Sequence, residues 1–188
     1  MEIERKILAI NKGELVARLV KIKARKLFEA LVRVKYFDFP DNSIRAKKDL
    51  LRIREFCEKG KKPYTELVYK IYKCVKSGCK YFEELETKID GAKSFEELSG
   101  FLSALGLKQT MHYEKIRTLY KLEKVNFEID EHPRIPAFLE IEAPNPKVIN
   151  KYIKLLGLEK HEQTAESIAQ LMERKYPKIS LNGLIFKK

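Results

Sequence analysis

The chain opens with Met1-Glu2-Ile3-Glu4-Arg5-Lys6. Two glutamates and a lysine stand at i, i+2 and i+4. Side chains alternate along a strand, so Glu2, Glu4 and Lys6 share one face, and Ile3, Arg5 and Ile7 share the other. An amino terminus normally frays. This one reads as a strand that presents two carboxylates and an ammonium in a single row.

Other stretches supply rows of the same kind. Leu51-Arg52-Ile53-Arg54 sets two guanidiniums on one strand face, and Lys115-Ile116-Arg117 pairs two more cations. Glu84-Leu85-Glu86, Glu128-Ile129-Asp130 and Glu140-Ile141-Glu142 each pair two carboxylates. An apolar residue separates the charges every time. Such strands turn a polar face toward something and pack the other.

At 188 residues and 44% hydrophobic, the chain has the length of one domain with a real core. No basic-then-apolar leader is visible, nor any apolar run near the roughly 18 residues of a membrane span, so neither a signal peptide nor a membrane segment is expected. Cys57, Cys74 and Cys79 fit no zinc spacing and read as free thiols of a reducing, cytoplasmic setting, although Cys74 and Cys79 flank Ser77-Gly78 and a hairpin disulfide stays open. His112, His132 and His161 are scattered and support no histidine metal site or nucleophilic triad. The net charge of +12, from 39 Lys and Arg against 27 Asp and Glu, attracts polyanions. The lysines are spread out and no nucleic-acid motif accompanies them, so a phosphate-rich small molecule is favoured over specific nucleic acid.

Taken in order, Asn11-Lys12-Gly13 reads as a turn, and Leu15, Leu19 and Ile22 recur at helical spacing as far as Arg25. Strands are expected over 27–38, 50–56, 64–75 and 80–89, the last two joined at Ser77-Gly78. The segment 44–49 reads as irregular. Ser94-Phe95-Glu96-Glu97 predicts a capping box at a helix start, and Gly106 its end. Strands follow over 108–122, 125–131 and 137–143. Asn145-Pro146 predicts another helix start. A last helix is expected from Thr164 to before Pro177, and the tail beyond it is unplaced. Consecutive strands with interspersed helices define an α+β arrangement built on an antiparallel sheet.

Two readings of the charged rows then stand. On an open sheet they are a solvated face that needs no explanation. On a closed sheet of about eight strands they line an interior wide enough for one small ligand. Buried charges must be balanced, so carboxylates on one side would hold a divalent metal while cations on the other hold phosphate oxygens. A metal-bound triphosphate meets that description.

Glu2-x-Glu4-x-Lys6 at the amino terminus resembles the signature of the CYTH superfamily, the triphosphate tunnel metalloenzymes, which include class IV adenylate cyclases and thiamine triphosphatases. Tyr36-Phe37-Asp38 with Leu51-Arg52-Ile53-Arg54, Tyr69-Lys70, Glu84 with Glu86, Lys115-x-Arg117, Ile129-Asp130-Glu131 and Phe138-Leu139-Glu140-Ile141-Glu142 are similar to its later blocks, in the same order. The resemblance covers residues 1–175 and leaves 176–188 as a tail. It implies a closed eight-stranded antiparallel β-barrel, a tunnel with helices packed outside. It implies Mg²⁺ or Mn²⁺ held by Glu2, Glu4, Glu84, Glu86, Asp130, Glu140 and Glu142, and a triphosphate cradle of Lys6, Arg52, Arg54, Lys70, Lys115 and Arg117. Lys6, Glu4 and Arg54 take the catalytic roles. The expected partner is a small-molecule triphosphate, and members often form homodimers. The expected reaction is phosphohydrolysis of inorganic or organic triphosphate, with two alternatives: a cyclase making cyclic AMP and pyrophosphate from ATP, or a non-catalytic polyphosphate-binding module. Three departures fall at the leaving-group end. Tyr81-Phe82-Glu83 stands where members often have arginine, His132-Pro133-Arg134-Ile135-Pro136 replaces glycine-rich text, and Thr164-Ala165 replaces a Ser-Tyr pair. Glu128 is an extra carboxylate, either a further ligand or a partner for a basic neighbour.

Overall fold

The computed structural model describes residues 2–91 and 93–187, and of Glu2 the backbone alone. The strands are β1 (Glu2–Ile7), β2 (Arg25–Asp38), β3 (Leu50–Glu58), β4 (Tyr64–Lys76), β5 (Cys79–Asp90), β6 (Lys108–Leu122), β7 (Val125–Glu131), β8 (Phe138–Glu142) and β9 (Gln163–Thr164). The helices are α1 (Lys12–Lys21), α2 (Ser43–Ala46), α3 (Ser94–Ala104), α4 (Pro146–Leu155) and α5 (Ile168–Lys175). The sheet runs β5-β4-β3-β2-β6-β7-β8-β1, and β1 pairs back onto β5, so eight antiparallel strands close into a barrel. The amino-terminal strand is the closing stave. Glu2 to Glu4 pair with β5, and Lys6 and Ile7 pair on that side with the short β9 outside the barrel.

The alternation of charged and apolar residues is resolved by an inverted barrel. Apolar faces point outward to the helices. Ile3, Ile7, Phe127, Ile129, Leu139 and Ile141 pack against Leu15 and Leu19 of α1 and Ile149, Tyr152 and Ile153 of α4. Phe37 and Ile53 pack under Phe95 and Leu102 of α3 and Ile44 of α2. Most of the core therefore lies between the wall and its helices, and the charged rows face the lumen together with aromatic residues such as Phe28, Tyr36, Phe56 and Tyr113. No helix among the described residues is long and apolar enough to cross a membrane.

Local expectations hold at several turns. Ser77 and Gly78 both take positive φ (53° and 66°), as a two-residue hairpin requires. Asn145 caps α4 by accepting from Val148 N at 3.0 Å, with Pro146 in the first turn. Gly106, at φ 89°, follows the end of α3.

Other expectations are corrected. Asn11 caps α1 rather than making a turn, accepting from Glu14 N, and that helix stops at Lys21 because Lys23 turns left-handed at φ 63°. The segment 44–49 contains α2. The predicted capping box at Ser94 does not form: Ser94 is already helical, and its hydroxyl donates to Gly91 O or Thr65 Oγ1, both at 2.7 Å, tying α3 to β4. A capping box forms instead at Ser167 with Gln170, so α5 begins at Ile168, after β9 has used Thr164. Cys74 and Cys79 do not pair. A bulge between Tyr72 and Cys74 sets Cys74 across from Tyr81, and the three cysteines are free. The tail is placed as well. Leu181 and Leu184 are buried, and the segment runs along β6, where Glu114 N donates to Leu184 O and Gly183 N to His112 O.

Candidate active site

The lumen encloses about 510 Å³. Its wall divides into arcs. On one side, β3 contributes Arg52 and Arg54, and β6 contributes Lys115 and Arg117, flanking β2 with its Phe28 and Tyr36. On the other side lie Glu128 and Asp130 of β7, Glu140 and Glu142 of β8, and Glu4 and Lys6 of β1, then Lys80, Glu84 and Glu86 of β5 and Glu66 and Lys70 of β4. Every site residue expected from sequence thus faces the same cavity, except Glu2, whose side chain lies outside the described residues.

The register sets like charges against each other. Glu4 is the Cα partner of Glu142, and Glu128 that of Glu140. Opposed like charges destabilise a sheet, so a wall that carries two such pairs is shaped by something other than folding. The cations compensate in part. Lys6 Nζ donates to Glu140 at 2.5 Å and lies 3.6 Å from Glu4. Asp130 accepts from Lys115 Nζ at 2.7 Å and from Arg117 Nε and Nη2 at 2.7 and 2.6 Å. Arg117 also meets Glu128 at 2.5 Å. Arg54 bridges Glu66 and Glu86, both at 2.9 Å, and Lys70 meets Glu84 at 2.8 Å.

Burial opposes every one of these charges, and the neighbours decide which persist. Asp130 is held well below the carboxylate range despite burial, by Arg117 and Lys115. Glu140 is held down by Lys6 and Arg117. Lys6 is held above the ordinary lysine value by Glu140 and Glu4. For Glu128, burial together with Glu140 and Asp130 outweighs Arg117 and lifts it to about 7. Burial and Arg117 bring Lys115 down to about 8.

Three features escaped the sequence reading. Glu66 and Lys80 face the lumen, and the period-two rows Glu66-x-Val68-x-Lys70 and Lys80-x-Phe82-x-Glu84 carried the signal. His132 lines the cavity from the loop after β7, stacked on Phe138 (5.4 Å, 17°), with both ring nitrogens buried and without a partner among the described residues. No periodicity points to a loop residue. Ser167 and Ile168 bring the start of α5 into the lining.

The carboxylates Glu4, Glu128, Glu140 and Glu142 stand on three adjacent strands and offer oxygen donors alone, a set that suits a hard dication such as Mg²⁺ or Mn²⁺. Among the described residues, no three acidic, histidine or cysteine side chains already converge as a metal cage. Glu140 is turned to Lys6, and Glu128 to Arg117.

A closed antiparallel barrel whose lumen holds both charge signs defines a class of tunnel protein, and comparison with known proteins agrees. The CYTH domain model matches residues 1–170, and the chain belongs to that family. A relative from Methanocaldococcus jannaschii, named as a candidate adenylate cyclase, is 30% identical over 142 residues, 76% of each chain. The PH1012 protein of Pyrococcus horikoshii superposes with a TM-score of 0.70 at 26% identity, over 86% of this chain and 94% of its own. HpAC1 of Hippeastrum, a candidate adenylyl cyclase described as having a dominant triphosphatase activity, shares the fold at a TM-score of 0.67 and 17% identity, over 92% and 95%.

Proposed function

We propose that the protein is a divalent-metal-dependent phosphohydrolase that cleaves inorganic or organic triphosphates inside its barrel. The observation that carries this reading is the convergence of a cationic arc, β3 and β6, with an acidic arc, β7, β8 and β1, on one lumen. Arg52, Arg54, Lys70, Lys115 and Arg117 hold phosphate oxygens, the arginines through their planar forks and the lysines as point charges. As substrate enters, each paired cation exchanges a carboxylate for a phosphate oxygen. Lys6, a cation set between Glu4 and Glu140 within the acidic arc, orients the phosphoryl chain or the attacking water. Tunnel enzymes of this family generally depend on a divalent cation, and here Glu4, Glu140 and Glu142, with Glu128, would hold it. Bound there, the dication supplies charge that offsets the phosphate oxygens and makes water more acidic. The cationic arc stabilises charge as it develops on the transferring phosphoryl group.

Hydrolysis asks only for a held triphosphate and a positioned water, whereas cyclisation also requires a ribose 3′-hydroxyl aligned on the α-phosphorus. The triphosphatase activity described for HpAC1 supports the first. The cyclase name of the Methanocaldococcus relative supports the second, adenylate cyclase, as the alternative. Incubation with Mg²⁺ or Mn²⁺ and, separately, tripolyphosphate, ATP and thiamine triphosphate decides between them. Orthophosphate release is expected. Cyclic AMP with pyrophosphate would move the protein to the cyclases, and bound but unchanged triphosphate would leave a binding module.

A further inference from the structure

The cations of the lumen are not equivalent. Lys6, Arg54, Lys70, Lys115 and Arg117 each meet at least one carboxylate, whereas among the described residues Arg52, whose buried Nε lacks a hydrogen-bond partner, and Lys80 do not. Lys80 is buried to 9% exposure and lines the same cavity, yet among the described residues no carboxylate lies at ion-pairing distance from it. Its ammonium has three protons to donate. Its one side-chain hydrogen bond among the described residues is long, 3.4 Å to Gln170 Oε1 of α5, and that oxygen already accepts from Ser167 N at 2.9 Å and Ser167 Oγ at 3.1 Å. A buried cation without a counterion destabilises the fold, so its retention in a cavity calls for an anion that arrives from outside.

Resting on the triphosphate reading above, we propose that Lys80 is a metal-independent anchor for one end of the phosphate chain, at the end of the lumen that α5 lines. A phosphate oxygen reaching any paired cation must first displace a carboxylate. At Lys80 it displaces only the long contact to Gln170, beside the Phe82 ring 6.0 Å away. Lys80 therefore engages the chain before the paired cations exchange partners. Lys80 is the Cα partner of Glu4 across the seam that closes the barrel, beside the Lys6 row. Burial and the neighbouring Lys6 bring its pKa down to about 8, against the pull of Glu4, Glu140 and Glu166, and an added phosphate would restore the full charge.

Titration calorimetry with tripolyphosphate in EDTA tests the anchor. The variants are Lys80→Met, Lys80→Arg and Lys73→Met. Lys73 is an exposed lysine of β4 paired with Glu83, so its removal changes net charge equally without touching the lumen. Expected is a loss of roughly tenfold or more in metal-free affinity for K80M, the range of a charged hydrogen bond, with K80R recovering part of it and K73M staying within about twofold of wild type. Thermal denaturation confirms that each variant is folded. Equal affinities for K80M and K73M overturn the proposal, as does a wild-type protein that binds no tripolyphosphate without metal. A loss in K80M supports the anchor even where no triphosphate is turned over, so this inference and the hydrolase reading fail separately.

Discussion

Asp130 gives the sharpest separation between holding a metal and holding the cradle. Its carboxylate is 1% exposed and accepts three short bonds from Lys115 and Arg117. Asp130→Asn preserves shape, keeps one acceptor and removes the charge that two buried cations share. Breaking a buried ion pair from one side costs about 3–5 kcal/mol. Arg117 keeps Glu128 at 2.5 Å and Glu140 at 3.6 Å, so the lower end, about 3 kcal/mol, is expected. For a domain of this size each kcal/mol moves Tm by about 2–4 °C, which places the fall at roughly 6–12 °C. The sign with pH follows from the depressed pKa. A carboxylate held below its unfolded value contributes stability above that value and loses it as pH falls through the folded one. The gap between wild type and D130N should therefore stay flat over roughly pH 5–8 and close only in strong acid. Thermal denaturation in EDTA, without phosphate, measures it. A Tm change below about 2 °C in EDTA, together with lost metal activation, would refute the reasoning and return Asp130 to the ligands.

Glu4→Gln should lower triphosphate turnover by about a hundredfold or more while leaving the protein folded and able to bind tripolyphosphate, measured by steady-state kinetics beside calorimetry. Unchanged turnover contradicts a role for the Glu4 carboxylate. Arg5→Met should cost about 2 kcal/mol or more in urea denaturation, because Arg5 ties the β4–β5 turn (Ser77 O at 2.6 Å, Gly78 O at 3.0 Å) to α4 (Asn150 at 2.7 Å) and β9 (Gln163 at 3.1 Å). An unaltered midpoint means that this tether is idle. Lys80, brought to about 8 by burial and Lys6, loses its proton in the folded state above about pH 8, where the unfolded chain still holds one. Wild type should gain stability relative to K80M as pH rises from about 8 to 10, and a constant gap would contradict that assignment.

Rows of like-facing charges interleaved with apolar residues, as in Glu2-Ile3-Glu4-Arg5-Lys6, made the strands and their two faces legible but left an open sheet and a closed barrel both standing; the closed barrel came from the resemblance carried by the order of the charged blocks, and β1 pairing with β5 bears it out. The same alternation carried Lys80 and Glu66, but attention to paired like charges passed over single charges that share a face with Phe82 or Val68. What a row does not encode is whom its charges meet. The partnership of Asp130 with Lys115 and Arg117 comes from the register between β6 and β7, where Arg117 faces Asp130. Ser94 showed the limit of local motifs. Its capping signature was sound, yet Thr65 and Gly91 lay within reach and took the hydroxyl. His132 sits in a loop, where neither period applies.

The central claim is that this lumen delivers water to a held triphosphate. The direct test is ³¹P NMR of tripolyphosphate incubated with the protein and Mg²⁺ or Mn²⁺ in ¹⁸O-enriched water, beside a parallel sample in EDTA. The account predicts orthophosphate carrying one solvent-derived ¹⁸O, together with pyrophosphate, and no turnover in EDTA. Tripolyphosphate that stays intact while ATP yields cyclic AMP and pyrophosphate under the same conditions would contradict it.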